Sequence, residues 1–341
     1  MSRIFERTML FEHFIRNVPS PLTLLTSNAP EDQRNKVIEN QLSCEKYTLE
    51  YSMELSSTST THASIIDTLI VKSDSKTQSY NPKEFIQEIA QNNTDILIDI
   101  TGFHIRLLGM ILSGIKENLR INKNGCSKIF CGYTEPAEYK RNNLSKMFGS
   151  ILHDDGTIND PVPSQRFELY KRFAGFDPIP NFSSIESDDE DVSQTWIVLL
   201  GFEGGRPTRI ETEISKVDEV IALLTVPPLK PGWNNYALDE NAHFLAGVDN
   251  RPPTIEYISA HSPYSAYNFL EKYKKNNPSE RILVSPLSTK ATSLGAILYA
   301  LNYPECALIF DNPFETHHEK SEHFGKTYVF DISEVLRISA D

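Results

Sequence analysis

The chain carries 46 acidic and 33 basic side chains over 341 residues, a net charge of −13, with 39% hydrophobic and 23% charged residues. Those figures describe an ordinary globular protein long enough for two domains, at about 100–200 residues each. They exclude duplex DNA as a main partner, because phosphate binding needs clustered Lys and Arg and the longest basic tract is Lys272-Tyr273-Lys274-Lys275.

A local basic pocket for a small anion is compatible with that balance, since net charge describes the whole field and not one cleft. No run of about 18 apolar residues is present to span a bilayer, so no membrane contact is expected. Arg3, Glu6, Arg7, Glu12 and His13 break up the apolar residues at the start, which leaves no secretory h-region and makes the cytoplasm the expected location. The cysteines Cys44, Cys126, Cys131 and Cys306 match no zinc spacing and read as buried free thiols.

In chain order, Arg3 to Asn17 has apolar residues at helical spacing up to a Pro19–Pro21 stop and predicts an opening helix. A strand at Leu22–Thr26, a helix from Pro30 to Leu42, and strands at Thr48–Leu55 and Ile65–Val71 follow. Asn81-Pro82 opens another helix, where proline at the first helical position costs no hydrogen bond. Ile96 to Leu112, ILIDITGFHIRLLGMIL, then reads as strand, polar turn and helix, and Lys128–Tyr133 as the returning strand.

From His153 to Asp191 periodicity lapses while seven Asp and four Pro accumulate, ending in an acidic run read as a solvated connector. Trp196–Phe202 begins a second series: strands at Val220–Val226 and Ile255–Ser259, and helices at Tyr236–Leu245 and Pro263–Lys275. Arg281 to Pro313 repeats the earlier unit. ILVSPLSTKATSLGAIL lies over Ile96–Leu112 without a gap, 186 residues later, as an internal duplication would place it. A last strand, Thr327–Ile332, is expected to close the second sheet.

Continuous apolar strands alternating with helices predict an α/β fold of two Rossmann-like lobes with mainly parallel sheets. The lobes are expected at 1–150 and 196–341, joined by the connector at 151–195. In such sheets ligands bind beyond the carboxyl ends of the strands. That rule selects Asp99, Thr101, Gly102, His104, Tyr133, Thr134 and Glu135 in the first lobe. In the second it selects Glu203, Gly204, Gly205 and Arg206, then Ser285, Ser288, Thr289 and Lys290, then Asp311 and Asn312. Ser288, Thr289 and Lys290 could hold a phosphate at a helix start, and equally could do no more than cap the helix.

Neither a metal nor an organic cofactor is expected. His317, His318, Glu319, Glu322 and His323 lack the H-E-x-x-H spacing, and no G-x-S-x-G, Walker A or C-x-x-C signature occurs. Acid–base work by Asp99, Glu135, Glu203 or Asp311 stays open, and no catalytic residue is assigned.

The DITG of Asp99–Gly102 and the SPLSTK of Ser285–Lys290 are similar to the strand-to-helix turn of the CARF (CRISPR-associated Rossmann fold) family, where an N/D-x-T-G-G-T-K-like turn contacts a nucleotide second messenger. The first continues with Phe103-His104; the second has Leu287-Ser288 where the family has glycines. The resemblance implies a sensory, often homodimeric module in antiviral defence, whose output would pass through a protein partner or the lobes themselves. The leading expectation is thus a sensor or regulatory subunit for a small anionic, nucleotide-like ligand. The alternatives are a cofactor-independent enzyme acting on a nucleotide-like or phosphorylated substrate between the lobes, and a protein-interaction scaffold.

Overall fold

The computed structural model describes residues 7–19, 21–28, 33–55, 65–73, 76–91, 94–121, 128–139, 170–183, 192–214, 217–247, 251–316 and 321–338. Its strands form two large sheets and one small one. The first large sheet is built from β1 (Thr8–Leu10), β2 (Leu22–Ser27), β3 (Glu45–Leu55), β4 (Ile65–Lys72), β5 (Thr77–Tyr80), β6 (Asp95–Asp99), β7 (Ile129–Tyr139) and β15 (Ser321–Asp331). Their spatial order is β1-β15-β7-β6-β2-β3-β4-β5. The middle of it, from β7 to β3, is parallel; the flanks are antiparallel.

The second large sheet contains β9 (Gln194–Leu199), β10 (Glu219–Thr225), β11 (Thr254–Ile258), β12 (Arg281–Pro286) and β13 (Ala307–Leu308), all parallel, in the order β11-β10-β9-β12-β13. This is the order of a doubly wound α/β half, and the chain is a mixed α/β protein of the Rossmann-like kind. Strands β8 (Tyr170–Phe173) and β14 (Pro313–Thr316) form a small antiparallel pair.

Nine helices accompany the strands among the described residues: α1 (Phe11–Phe14), α2 (Pro82–Gln91), α3 (Ile105–Ile121), α4 (Gly205–Glu211), α5 (Trp233–Glu240), α6 (Ala242–Ala246), α7 (Pro263–Asn276), α8 (Lys290–Asn302) and α9 (Ser333–Leu336). The repeated units are β6-α3-β7 and β12-α8-β13, each with neighbouring parallel strands. Strands β6 and β12 are buried almost throughout, which is why their sequences run continuously apolar instead of alternating. One apolar core spans both units, including Ile96, Ile98, Leu108, Ile111, Ile282, Val284, Leu294 and Ile297. Helices α3 and α8 also meet directly: Lys116 Nζ donates to Leu301 O at 2.9 Å and to Asn302 Oδ1, so an ammonium from one lobe caps the carbonyl end of the other lobe's helix.

Three expectations from the sequence differ here. The last strand does not close the second sheet. It lies in the first, between β1 and β7, with Val329 opposite Gly132 and Phe330 opposite Cys131. The outer side of β13 is already occupied by a bridge from Ser183, whereas β7 offers an open edge. Of the stretch expected as a helix from Pro30 to Leu42, the described residues 33–42 form 3-10 turns at Gln33–Lys36 and Glu39–Gln41 instead, with Arg34 and Asn35 both buried. Among the described residues of the opening segment, Thr8–Leu10 is a strand paired with β15, and Phe11–Asn17 is helical. The acidic run and His317 to Glu319 lie outside the described residues.

Candidate functional site

Each large sheet has one place where the chain reverses its direction of travel across the sheet, and in open α/β sheets that point of reversal is where a ligand crevice forms. In the second sheet it lies between β9 and β12. The turn after β9, Gly201 to Arg206, therefore faces the turn after β12, Leu287 to Lys290. A Cβ on Gly201 would fall on Leu287 O, so the two turns touch backbone to backbone and only glycine fits.

The charged residues of the first turn are committed inward. Arg206 grips the fully buried Asp311, with Nε at 3.0 Å and Nη2 at 2.6 Å from Oδ1, and its Nη1 reaches Glu203 Oε2 at 3.1 Å. Arg209 adds a bond to Asp311 Oδ2 at 2.9 Å while its guanidinium stacks 3.7 Å from the Phe173 ring centroid. Two arginines on one carboxylate compensate its desolvation, so Glu203, Arg206 and Asp311 form one buried ion network beneath the turn. Gly204, which is buried, and Gly205, which is exposed, stand at the start of α4.

Ser288, Thr289 and Lys290 are half-buried. Thr289 caps α8: its Oγ1 accepts from Thr292 N at 3.3 Å. The capping expectation thus holds for Thr289. Ser285 is fully buried and accepts the Trp196 indole N–H at 2.8 Å, a structural contact inside the sheet.

In the first sheet the reversal lies between β2 and β6. Register places Leu25 beside Ile98, hence Thr26 beside Asp99. Asp99 Oδ1 accepts from Thr101 N at 3.1 Å, while Asp99 Oδ2 and Thr26 Oγ1 are buried without a hydrogen-bond partner. Burial raises the Asp99 carboxyl to about 7, opposed by the Thr101 bonds and the Arg34 charge. Arg34 Nη1 donates to Thr134 O at 3.3 Å, and the Asn35 amide lies where a Gly102 side chain would go. Thr101 Oγ1 accepts from Thr134 N at 3.0 Å, which ties the β6 turn to β7.

Compared with known proteins, this chain matches no family model and no curated protein. Glu135, one residue beyond Thr134, points to the second lobe. Its Oε1 accepts from Lys326 N at 3.0 Å and lies 3.5 Å from Lys230 Nζ, which arrives from the turn after β10. A register shift in β15 between Phe324 and Thr327 aims that N–H at Glu135.

The selected residues therefore fall into two groups. Glu203, Gly204, Gly205, Arg206, Ser288, Thr289, Lys290 and Asp311 converge on the second crevice; Thr101 and Gly102 belong to the first. Sequence reading missed Thr26, Arg34, Asn35, Arg209 and Lys230. Thr26 is the last residue of the strand expected at Leu22–Thr26, so the strand-end rule would have named it; Arg34 and Lys230 carry no local signal, because only tertiary folding brings them to these ends. No group of three or more His, Cys, Asp or Glu with metal-binding geometry occurs among the described residues. No helix among them is long and apolar enough to cross a membrane.

Proposed function

We propose that the chain binds a small anionic, nucleotide-like ligand at the second crevice and works as a sensor or regulatory subunit. The observation that carries this reading is the meeting of the Gly201–Arg206 and Leu287–Lys290 turns at the sheet's point of reversal, with the N-terminus of the thirteen-residue helix α8 opening there. Lys290 at that helix start supplies a charge suited to an anion. Glu203, Arg206 and Asp311 are assigned to holding the turn, and Gly204, Gly205, Ser288 and Lys290 to the ligand. A place in antiviral defence, a homodimeric assembly and a protein partner for output go with the CARF resemblance and share its standing as proposals.

A second reading, a cofactor-independent enzyme on a nucleotide-like or phosphorylated substrate, draws on Asp99. A carboxyl raised to about 7 at a strand end is poised for proton transfer near neutral pH.

Heat-denaturing the purified protein and reading the supernatant at 260 nm tests for a carried nucleotide; a supernatant without that absorbance counts against the reading. With the released compound in hand, Lys290→Ala should weaken binding by about 1.5–3 kcal/mol, the range for a hydrogen bond to a charged group. A ligand at about 100 times its Kd stabilises by roughly 2.7 kcal/mol, and a tenfold loss of affinity removes about half of that. Equal ligand-induced shifts in melting temperature for wild type and Lys290→Ala would reduce this turn to a helix cap. Turnover of the compound would favour the enzyme.

A further inference from the structure

His104 stands where the two lobes meet. It immediately precedes α3, and its Nδ1 accepts the Arg106 N–H at 3.2 Å, capping the helix. Its Nε2 lies 2.7 Å from Pro313 O. A carbonyl oxygen only accepts, so Nε2 carries the proton and Nδ1 keeps its lone pair; one neutral tautomer serves both contacts. The ring packs 5.6 Å from Tyr51 of the first lobe and edge-on at 5.6 Å to Phe310 of the second.

Each end of this contact leads to a crevice. On one side His104 ends the turn that contains Thr101 and Gly102. On the other, Pro313 follows Asn312 and Asp311, and Asp311 holds Arg206 and Arg209 under the Gly201–Arg206 turn. A parallel tie reinforces the first. Arg106, fixed on Asp67 by Nε at 2.8 Å, donates through Nη1 to Asp177 O and Pro178 O, and Asn312 Nδ2 donates to Asp177 O from the other lobe.

We infer that His104 couples the two crevices: a displacement of the turn 101–104 is passed through Pro313 to Asp311 and its arginines, and a displacement there is passed back. Reciprocity follows from linkage, because one contact biases both sites. The coupling is a property of the unliganded chain, so it stands or falls independently of the proposed ligand.

Amide hydrogen exchange tests it without any ligand. Arg209→Ala removes one of the two arginines on Asp311 and leaves Arg206 in place. In the otherwise native chain it is expected to speed exchange across residues 101–106 by about twofold or more, the lower end of coupling between linked sites. Adding His104→Asn keeps an acceptor for the Arg106 N–H, loses the reach to Pro313, and should abolish that response. His104→Gln, whose amide N–H can reach Pro313 O, should restore it. The inference is overturned if Arg209→Ala leaves residues 101–106 unchanged in the native background. It is equally overturned if the response survives His104→Asn, as a merely capping His104 requires, or fails to return with His104→Gln.

Discussion

Asp99 is a fully buried carboxyl at the end of β6. One carboxylate oxygen is held by Thr101 N and the other is buried beside Thr26, with Arg34 as the compensating cation and Glu39 opposing it. Burial lifts the carboxyl from 3.8 to about 7, so between those values the folded chain binds more protons than the unfolded one. Its contribution to stability is complete below about pH 4 and is lost as pH rises through about 7. At one pKa unit per about 1.4 kcal/mol, the full effect is on the order of 4 kcal/mol. Asp99→Asn should therefore flatten the dependence of stability on pH and make the protein more stable than wild type at mildly alkaline pH. Urea unfolding at mildly acidic and mildly alkaline pH measures this; parallel losses in both proteins would mean that Asp99 stays ionised in the fold. Nothing local in ILIDITG announces this shift. An aspartate at a strand end is legible, but its burial depends on the 33–42 segment folding over it.

Among elements, the α7–α8 pair shows which part of the packing was written in the sequence. The aligned repeats place Gly109 of α3 and Gly295 of α8 at the same position. Both prove to be points of close approach, Gly109 to Ile179 and Phe182, and Gly295 to Pro263 O and Ala266. A Cβ at 295 would run into the Pro263 carbonyl, part of the backbone at the start of α7 and unable to yield as a side chain would. Gly295→Ala thus sets a gain of about 1 kcal/mol in helix propensity against overpacking of about 1–3 kcal/mol or more. Overpacking should win, giving a lower denaturation midpoint; a higher one would show that the two helices can slide apart. The glycines were visible in the repeat, while the carbonyl that makes one of them obligatory was not.

At the scale of the whole molecule, the two sheets are tied by more than a connector. The last strand crosses back into the first sheet, Lys116 caps α8, Tyr264 Oη donates to Asp331 O, and Lys230 meets Glu135. A shared apolar core joins the two repeated units. Unfolding should accordingly follow a single cooperative transition, with calorimetric and van't Hoff enthalpies in agreement. Two resolved heat-capacity peaks would show that the lobes unfold separately.

The sequence by itself determined the parts whose signal is local. Continuous apolar runs marked the buried parallel strands, Asn81-Pro82 and Thr289 marked helix starts, and the repeat marked β6-α3-β7 and β12-α8-β13 as kindred units. Those features depend on neighbours a few residues away and survive in any context. Tertiary structure alone decided which sheet received residues 321–331, since an apolar strand pairs with whichever edge is open. It also decided that Arg206 and Asp311 would neutralise one another, because their attraction acts across 105 residues of chain and depends on a burial that no local pattern encodes.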